Sequence, residues 1–325
     1  MHGHAAIGAN EPLGLRIVVL VPFGTNGSVS AAAEMARRLE DSPGVSAADV
    51  VILPGPETTS SDPFRLRDRL SNLDADVFVL VAPRRWGPYR SVPAPAINGR
   101  AVALVQADKP CDLPVPSLAG TAGAPWVIAA MAKDMFLGPA GLWVETLDRA
   151  GRYVMDLRAD RTRREDLITA LKAGPSVVLY AGHGRTRGWG GYQGVRWDHI
   201  APDPDGGHRP AGLVIAFACD TLKRVRSGVP FGSHLVEGGA ARAYLGAARV
   251  IRSADAEELG KVVVDLLAEG ASPTVAHLVT AIERGVRGQP GASRAWNQFR
   301  LVGDPSTSVT QTVPVLERPS GRALR

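Results

Sequence analysis

The chain lacks the features that define several large protein classes. It has two cysteines among 325 residues, so a disulfide framework is excluded, and no four-ligand zinc spacing appears. Its longest apolar runs, such as residues 213–218, are far shorter than the roughly 20 residues that a membrane-spanning helix needs. Because 45% of the residues are apolar and 21% are charged, wholesale disorder is excluded as well. The sequence therefore predicts a soluble globular protein.

Charge of neither sign dominates, since the formal net charge is +5. The densest basic stretch, residues 149–164, also carries acidic residues, which is typical of a solvated face rather than of a nucleic-acid-binding surface. We therefore expect neither a nucleic-acid partner nor a membrane partner. Residues 1–14 contain neither the basic leader nor the apolar core of a secretory signal, so a flexible N-terminus and a cytoplasmic location are expected.

Strand-like apolar runs alternate with helix-like segments along most of the chain. This alternation predicts an α/β fold with a mostly parallel sheet. We expect a smaller α/β subdomain over residues 15–100, a second and larger α/β domain over 101–311, and a polar tail over 312–325. Early in the larger domain, the patterns predict a helix over Pro125–Phe136 and a strand over Leu142–Thr146.

Two of the predicted strands end in chemically reactive residues. Ser176–Tyr180 runs into a Gly-His-Gly turn centred on His183, and Leu213–Ala218 runs into Cys219. Ligands of open parallel sheets bind beyond the carboxyl ends of the strands, so a site is expected there. If the two strands are neighbours, His183 and Cys219 face each other across a cleft.

This pair of side chains points to nucleophilic catalysis. An imidazole can take the proton of a nearby thiol, and the resulting thiolate can attack a carbonyl carbon. The Gly184 amide would be free to donate to the developing oxyanion. The alternative interpretation is a buried cysteine that acts only as a small apolar side chain, which is the commoner role of such a residue.

Three ordered segments of the chain resemble signatures of caspase-like cysteine peptidases, and most closely those of gingipain-type peptidases and CHAT domains. The segments are residues 178–184, 216–221 and 296–305, and the resemblance extends over roughly residues 101–309. It implies a caspase-like three-layer sandwich, preceded by a smaller α/β subdomain as in gingipain-type enzymes. It also implies a catalytic dyad of Cys219 and His183, an oxyanion hole formed by the Gly184 and Cys219 amides, and no metal or organic cofactor.

The same resemblance implies cleavage of protein or peptide substrates, with a preference for basic residues. Many relatives cleave after Arg or Lys because an acidic group lines the first specificity pocket, and a carboxylate binds a guanidinium well. Asp255 is the first candidate for this acid, although it would serve equally well as a first-turn acid of the helix that it begins. Asp112, Asp134 and Asp220 are weaker candidates.

Asp108 corresponds to an acidic residue near the histidine of the family and could orient His183, or it could be a solvated loop residue.

Regulation is expected as well, because an uncontrolled peptidase would cleave indiscriminately. The loop after the nucleophile contains Arg224 and Arg226, which are candidate processing sites if the enzyme prefers basic residues. The loop cations could instead depress the pKa of the thiol or simply be solvated. An activating protease, a regulatory partner protein or calcium could supply the trigger.

Two other functions remain open at the level of the sequence. The chain could be a non-catalytic interaction module that keeps the caspase-like fold. It could also be a nucleotide-binding regulator that uses the turn at residues 24–28, although that turn lacks the Gly-Lys-Ser/Thr ending of a phosphate loop. Trp189 and Trp197 either line a substrate groove or pack in the core, and Cys111 is expected to be an ordinary free thiol.

Overall fold

A mixed sheet forms the centre of the fold in the computed structural model, which describes residues 15–21, 26–42, 45–52, 68, 70–82, 95–107, 109–113, 124–202, 208–223 and 228–310. The strands of the described residues are β1 (Leu15–Val21), β2 (Val45–Ile52), β3 (Val77–Ala82), β4 (Ala96–Ile97), β5 (Arg100–Gln106), β6 (Trp126–Ala130), β7 (Val154–Asp156), β8 (Val177–Ala181), β9 (Gly184–Arg185), β10 (Gly188–Trp189), β11 (Val195–Arg196), β12 (Ala211–Phe217), β13 (Ala241–Ala247) and β14 (Phe299–Gly303). Eleven of them form the main sheet, while β9, β10 and β11 form a small separate one.

Helices cover both faces of the main sheet. They are α1 (Asn26–Glu40), α2 (Asp134–Arg149), α3 (Arg164–Lys172), α4 (Trp197–Ile200), α5 (Phe231–Glu237), α6 (Ser253–Glu269), α7 (Val275–Gly285) and α8 (Pro290–Trp296). Helices α1, α2, α6, α7 and α8 share one apolar core with the sheet, and α3, α4 and α5 share the core on the other face. The continuous apolar strands are buried on both sides for this reason. The predicted three-layer α/β architecture is confirmed.

Strand direction reverses once across the main sheet. The strand order is β2-β1-β3-β5-β14-β13-β12-β8-β6-β7, and β4 lies beside β5. All neighbours along this path are parallel except β13 and β14, which are antiparallel. The carboxyl ends of β1, β3 and β5 therefore lie at the opposite edge of the sheet from those of β8, β12 and β13.

The main sheet continues across residue 100, where the sequence predicts a domain boundary. Strand β5 pairs with β3 on one side and with β14 on the other, so it joins the N-terminal strands to the rest of the sheet. The proposed division into two domains stays a prediction. The expected flexible N-terminus at residues 1–14 and the tail at 312–325 lie outside the described residues.

Two predicted elements are wrong. Residues 126–130 form a fully buried strand between β7 and β8, and the helix starts only at Asp134. Residues 142–146 belong to that helix. The Gly138-Pro139-Ala140-Gly141 segment is typical of a helix break, so the sequence pattern did not predict a helix there. In the structure this segment lies within α2, whose apolar face packs in the core. The buried side chains of this face have helical spacing: Phe136, Ala140, Trp143 and Leu147.

Among the described residues, no helix combines the length and the apolar character that crossing a membrane requires.

Candidate active site

His183 and Cys219 follow two neighbouring parallel strands in the same register. Strand β8 pairs with β12, and the last paired residues are Ala181 and Phe217. His183 lies two residues beyond Ala181, and Cys219 lies two residues beyond Phe217. The Gly182 amide still donates to the Phe217 carbonyl oxygen at 3.4 Å, which extends the pairing past the strand ends. The strands are therefore neighbours, as the sequence-based hypothesis required.

Gly184 brings the turn after His183 against the turn that contains Cys219. A β-carbon added to Gly184 would lie 2.5 Å from the Cys219 carbonyl oxygen and 2.8 Å from the β-carbon of Ala218. Any larger side chain would push the two turns apart. Glycine is required here by close approach, since its φ does not lie in the left-handed region.

His183 is exposed, but contacts on two sides restrain it. Its ring packs edge-on against the ring of Phe136 in α2, with centroids 5.1 Å apart. Its carbonyl oxygen accepts hydrogen bonds from the Gly190 amide at 2.7 Å and from the Tyr180 hydroxyl at 3.1 Å. The imidazole is thus presented to solvent from a backbone that is held in place.

The Cys219 sulfur is half-buried and lies against the segment that follows β13. The Ile251 amide is 3.4 Å from the sulfur, and the Ile251 carbonyl oxygen is 3.5 Å from it. A neutral thiol can donate to that carbonyl, whereas a thiolate would gain from the amide alone. The next residue, Asp220, has a left-handed φ of 60° and donates its amide to the Arg249 carbonyl oxygen at 3.3 Å. Residues 249–251 therefore support the turn that carries the thiol.

Asp255 lies in the first turn of α6, and its carboxylate is already paired. Arg294 in α8 donates through Nη2 to Oδ1 at 2.7 Å and through Nε to Oδ2 at 3.2 Å. These hydrogen bonds hold the pKa of the Asp255 carboxyl below its usual value. Asp255 could accept a substrate cation only after it released Arg294.

Three weaker acidic candidates occupy different environments. Asp134 is the exposed first residue of α2, two residues before the Phe136 ring that packs on His183. Asp220 forms an ion pair with Lys223, in which Nζ lies 3.1 Å from Oδ2. Asp112 lies in a short 3-10 helix beyond β5.

Three of the predicted site residues lie outside the described residues, namely Asp108, Arg224 and Arg226. Strand β5, which precedes Asp108, ends at the opposite edge of the sheet from Ala181 and Phe217, so its direction gives no support for a contact with His183. Among the parts of the chain that the structure describes, no three His, Cys, Asp or Glu side chains are grouped so that they could hold a metal ion.

The aromatic residues near the site have structural roles that the sequence left open or missed. Trp189 is buried and stacks on Tyr180, with centroids 4.3 Å apart and planes 11° apart. It therefore packs in the core. Trp197 is half-buried against His234. The contacts of Phe136 and Tyr180 with His183 were not anticipated, although Tyr180 belongs to the segment that carries the resemblance.

A mixed sheet with helices on both faces, and a cysteine and a histidine at one carboxyl edge, defines the class of caspase-like α/β proteins. Solved structures support this fold. The Arg-specific cysteine proteinase gingipain R superposes with a TM-score of 0.69 at 13% identity, covering 94% of this chain and 80% of that chain. The complex of the RgpB pro- and mature domains from Porphyromonas gingivalis gives 0.67 at 14% identity, covering 92% and 81%.

A match to a protein-family sequence model establishes the family. The model of peptidase family C25 matches residues 125–310, which include both His183 and Cys219. The chain belongs to peptidase family C25, and it is a cysteine peptidase. Among curated protein sequences, none matches the chain.

Proposed function

We propose that this cysteine peptidase is an endopeptidase whose nucleophile is Cys219 and whose general base is His183. The observation that carries the proposal is the shared register of the two residues, each two positions beyond the paired Ala181 and Phe217. Loops at the carboxyl edge of a parallel sheet are the usual place for a site in such folds. The exposure of His183 supports the proposal, because a substrate must reach the imidazole.

The proposed reaction transfers an acyl group in two steps. His183 takes the proton of the Cys219 thiol, and the sulfur attacks the scissile carbonyl carbon. His183 then protonates the departing amine, the C–N bond breaks, and a thioester with Cys219 remains. In the second step His183 takes a proton from water, whose oxygen attacks the thioester, and Cys219 leaves and is reprotonated. The Gly184 and Cys219 amides are proposed to stabilise the oxyanion in both steps.

Parallel assays of four proteins test the dyad. Wild type, Cys219→Ala, His183→Ala and Cys111→Ala are incubated with a library of internally quenched peptides. We expect Cys219→Ala and His183→Ala to lose at least about a thousandfold in kcat/KM. The activity of Cys111→Ala should remain near that of wild type. Cys111 lies in a short 3-10 helix that follows β5, and the carboxyl end of β5 is at the opposite edge of the sheet from Cys219. Cleavage by Cys219→Ala at the wild-type rate would refute the nucleophile, and no cleavage by wild type would favour a non-catalytic module.

We further propose that the substrate residue before the cleaved bond is basic. The related gingipain R is described as Arg-specific, and a carboxylate near the dyad would give this chain the same preference. Asp134 is the more accessible acid, because it is exposed at the start of α2, the helix whose Phe136 packs on His183. Asp255 would first have to break two hydrogen bonds with Arg294.

Matched substrates and variants test this preference. Peptides that differ only by Arg, Lys, norleucine or Asp before the cleaved bond are assayed with wild type, Asp134→Asn and Asp255→Asn. In the variant that removes the specificity acid, the Arg preference over norleucine should fall by about 30-fold or more. Equal rates for all four peptides with wild type would refute a basic preference.

Processing after Arg224 or Arg226 stays a prediction from the sequence. Wild type and Cys219→Ala are purified side by side and their intact masses are compared over time. Cleavage confined to wild type would support self-processing, and its loss in Arg224→Gln or Arg226→Gln would assign the position. Identical masses throughout would remove the idea.

A further inference from the structure

Tyr180 reaches from strand β8 to both ends of the hairpin that follows His183. Its hydroxyl donates to the His183 carbonyl oxygen at 3.1 Å and accepts a hydrogen bond from the Gly191 amide at 3.0 Å. The residues between these two points form the β9–β10 hairpin, in which Trp189 pairs with Gly184. One hydroxyl therefore ties the residue that enters the hairpin to the residue that leaves it.

The glycines around this hydroxyl leave room for it. A β-carbon on Gly182 would lie 2.3 Å from the Tyr180 oxygen, and one on Gly191 would lie 3.1 Å from it. Neither glycine has a positive φ, so backbone conformation alone does not require glycine at these positions. The space at both positions is matched to the tyrosine hydroxyl.

The tyrosine itself has little freedom to move. It is fully buried, and its ring stacks on the buried ring of Trp189. Burial raises the pKa of the Tyr180 hydroxyl well above its usual value. The hydroxyl thus keeps its proton, and its donor role, at every pH at which a histidine titrates.

We propose that Tyr180 is a positioning residue that fixes His183 relative to Cys219, a role that rests on the proposed dyad. The Gly190 amide also binds the His183 carbonyl oxygen at 2.7 Å, so loss of the hydroxyl would loosen the hairpin without unfolding it. A misplacement of about 1 Å of a catalytic group can reduce a rate about a hundredfold. Tyr180 positions His183 through contacts with the backbone and takes no part in making or breaking bonds.

Tyr244 provides a matched control. It is also fully buried, and its hydroxyl accepts a hydrogen bond from the Trp189 indole at 3.4 Å. Tyr180→Phe and Tyr244→Phe each remove one buried hydroxyl and keep the aromatic ring. Both variants should lose stability, whereas only Tyr180→Phe should change the chemistry of the dyad.

The test follows alkylation of Cys219 by iodoacetamide as a function of pH, in a Cys111→Ala background that leaves one thiol. Wild type, His183→Ala, Tyr180→Phe and Tyr244→Phe are compared, and peptide hydrolysis is measured beside the alkylation. We expect the pH profile of Tyr180→Phe to move toward that of His183→Ala, and kcat to fall about 10- to 100-fold with KM nearly unchanged. The Tyr244→Phe profile should overlay the wild-type profile.

The outcomes separate the two proposals. If His183→Ala leaves the alkylation profile unchanged, the dyad itself is refuted. If His183→Ala shifts the profile but Tyr180→Phe matches Tyr244→Phe, the dyad stands and the positioning role of Tyr180 is refuted. A shift in Tyr180→Phe at equal melting temperature to Tyr244→Phe supports the positioning role and excludes a general loss of stability as its cause.

Discussion

Gly184 and Cys219 are in such close contact that a single β-carbon on the glycine would lie 2.5 Å from the cysteine carbonyl oxygen. This contact joins the turn after β8 to the turn after β12, and it sets the separation of the two turns that carry His183 and Cys219. A side chain at position 184 would therefore change the distance between the two loops of the proposed dyad.

Gly184→Ala should damage both stability and activity. Its β-carbon would also lie 2.8 Å from the β-carbon of Ala218, and overpacking of this kind costs about 1–3 kcal/mol. We expect a lower melting temperature and a loss of kcat/KM of about tenfold or more. Gly138→Ala is the control, because nothing lies within 4 Å of a β-carbon there and alanine favours the helix by about 0.5–1 kcal/mol. Equal melting temperatures for both variants would contradict the close contact.

Gly182 and Tyr180 should be energetically coupled. Alanine at position 182 would collide with the tyrosine hydroxyl at 2.3 Å, so Gly182→Ala should be strongly destabilising on its own. Combined with Tyr180→Phe it should cost less than the sum of the single changes, with a coupling toward the low end of about 0.5–3 kcal/mol, because the ring carbon that bore the hydroxyl remains 2.7 Å from the added β-carbon. Denaturant unfolding of the two single variants and the double variant measures this cycle. Strict additivity would show that the hydroxyl does not select glycine at this position.

The Asp255–Arg294 pair should stabilise the fold in a pH-dependent manner. The pKa of Asp255 is lowered by Arg294, so its contribution is fully present above the unfolded pKa of about 3.9 and is lost as the pH falls through the lower folded pKa. Asp255→Asn should therefore melt below wild type at pH 7, and the difference should shrink below about pH 4.

A second ion pair on the same helix provides the control for that experiment. The Lys261 side chain is largely exposed and that of Asp265 is about half exposed, and such i,i+4 pairs contribute about 0.5 kcal/mol or less. Asp265→Asn should change the melting temperature only slightly at any pH. If Asp255→Asn behaved in the same way, the bidentate contact with Arg294 would have no energetic role.

Differential labelling of the two cysteines should report an activated thiol. Both are free, and Cys111 is the more exposed of them. If His183 takes the proton of Cys219 as proposed, the thiolate is the reactive form, so Cys219 should be alkylated faster than Cys111 near pH 6.5. Mass spectrometry of peptides from wild type and His183→Ala measures both rates. Faster labelling of Cys111 in wild type would show that exposure, and not activation, sets the order.

Strands whose apolar residues form uninterrupted runs were predictable from the sequence. Strands β8 and β12 differ from prediction by only one or two residues at their ends. Full burial on both faces demands such runs, so the pattern carries the information. Helix α2 was not predictable in this way, because Gly138 and Pro139 have low helix propensity and interrupt the helical pattern of the sequence. The packing of Phe136 and Trp143 in the core stabilises the helix in spite of this low propensity.

The placement of His183 and Cys219 beyond two neighbouring strands was predictable, but their surroundings were not. A reactive residue at a strand end is visible in the sequence, and the sheet then brings two such ends together. The contact between Phe136 and His183, and the pairing of Asp255 with Arg294, join residues that are distant along the chain. No local pattern encodes which helices pack over which loop, so these partners required the three-dimensional arrangement.

The antiparallel junction of β13 with β14 has a practical consequence for work with this enzyme. Strand β5 runs opposite to β12, so a fluorophore attached to the exposed Cys111, in the short 3-10 helix that follows β5, would lie at the far rim of the sheet. The seven-residue strands β5 and β12 would separate it from Cys219 by about 20 Å along the strand direction. The enzyme could be immobilised or labelled at that rim while the rim that carries His183 and Cys219 stays open to solvent.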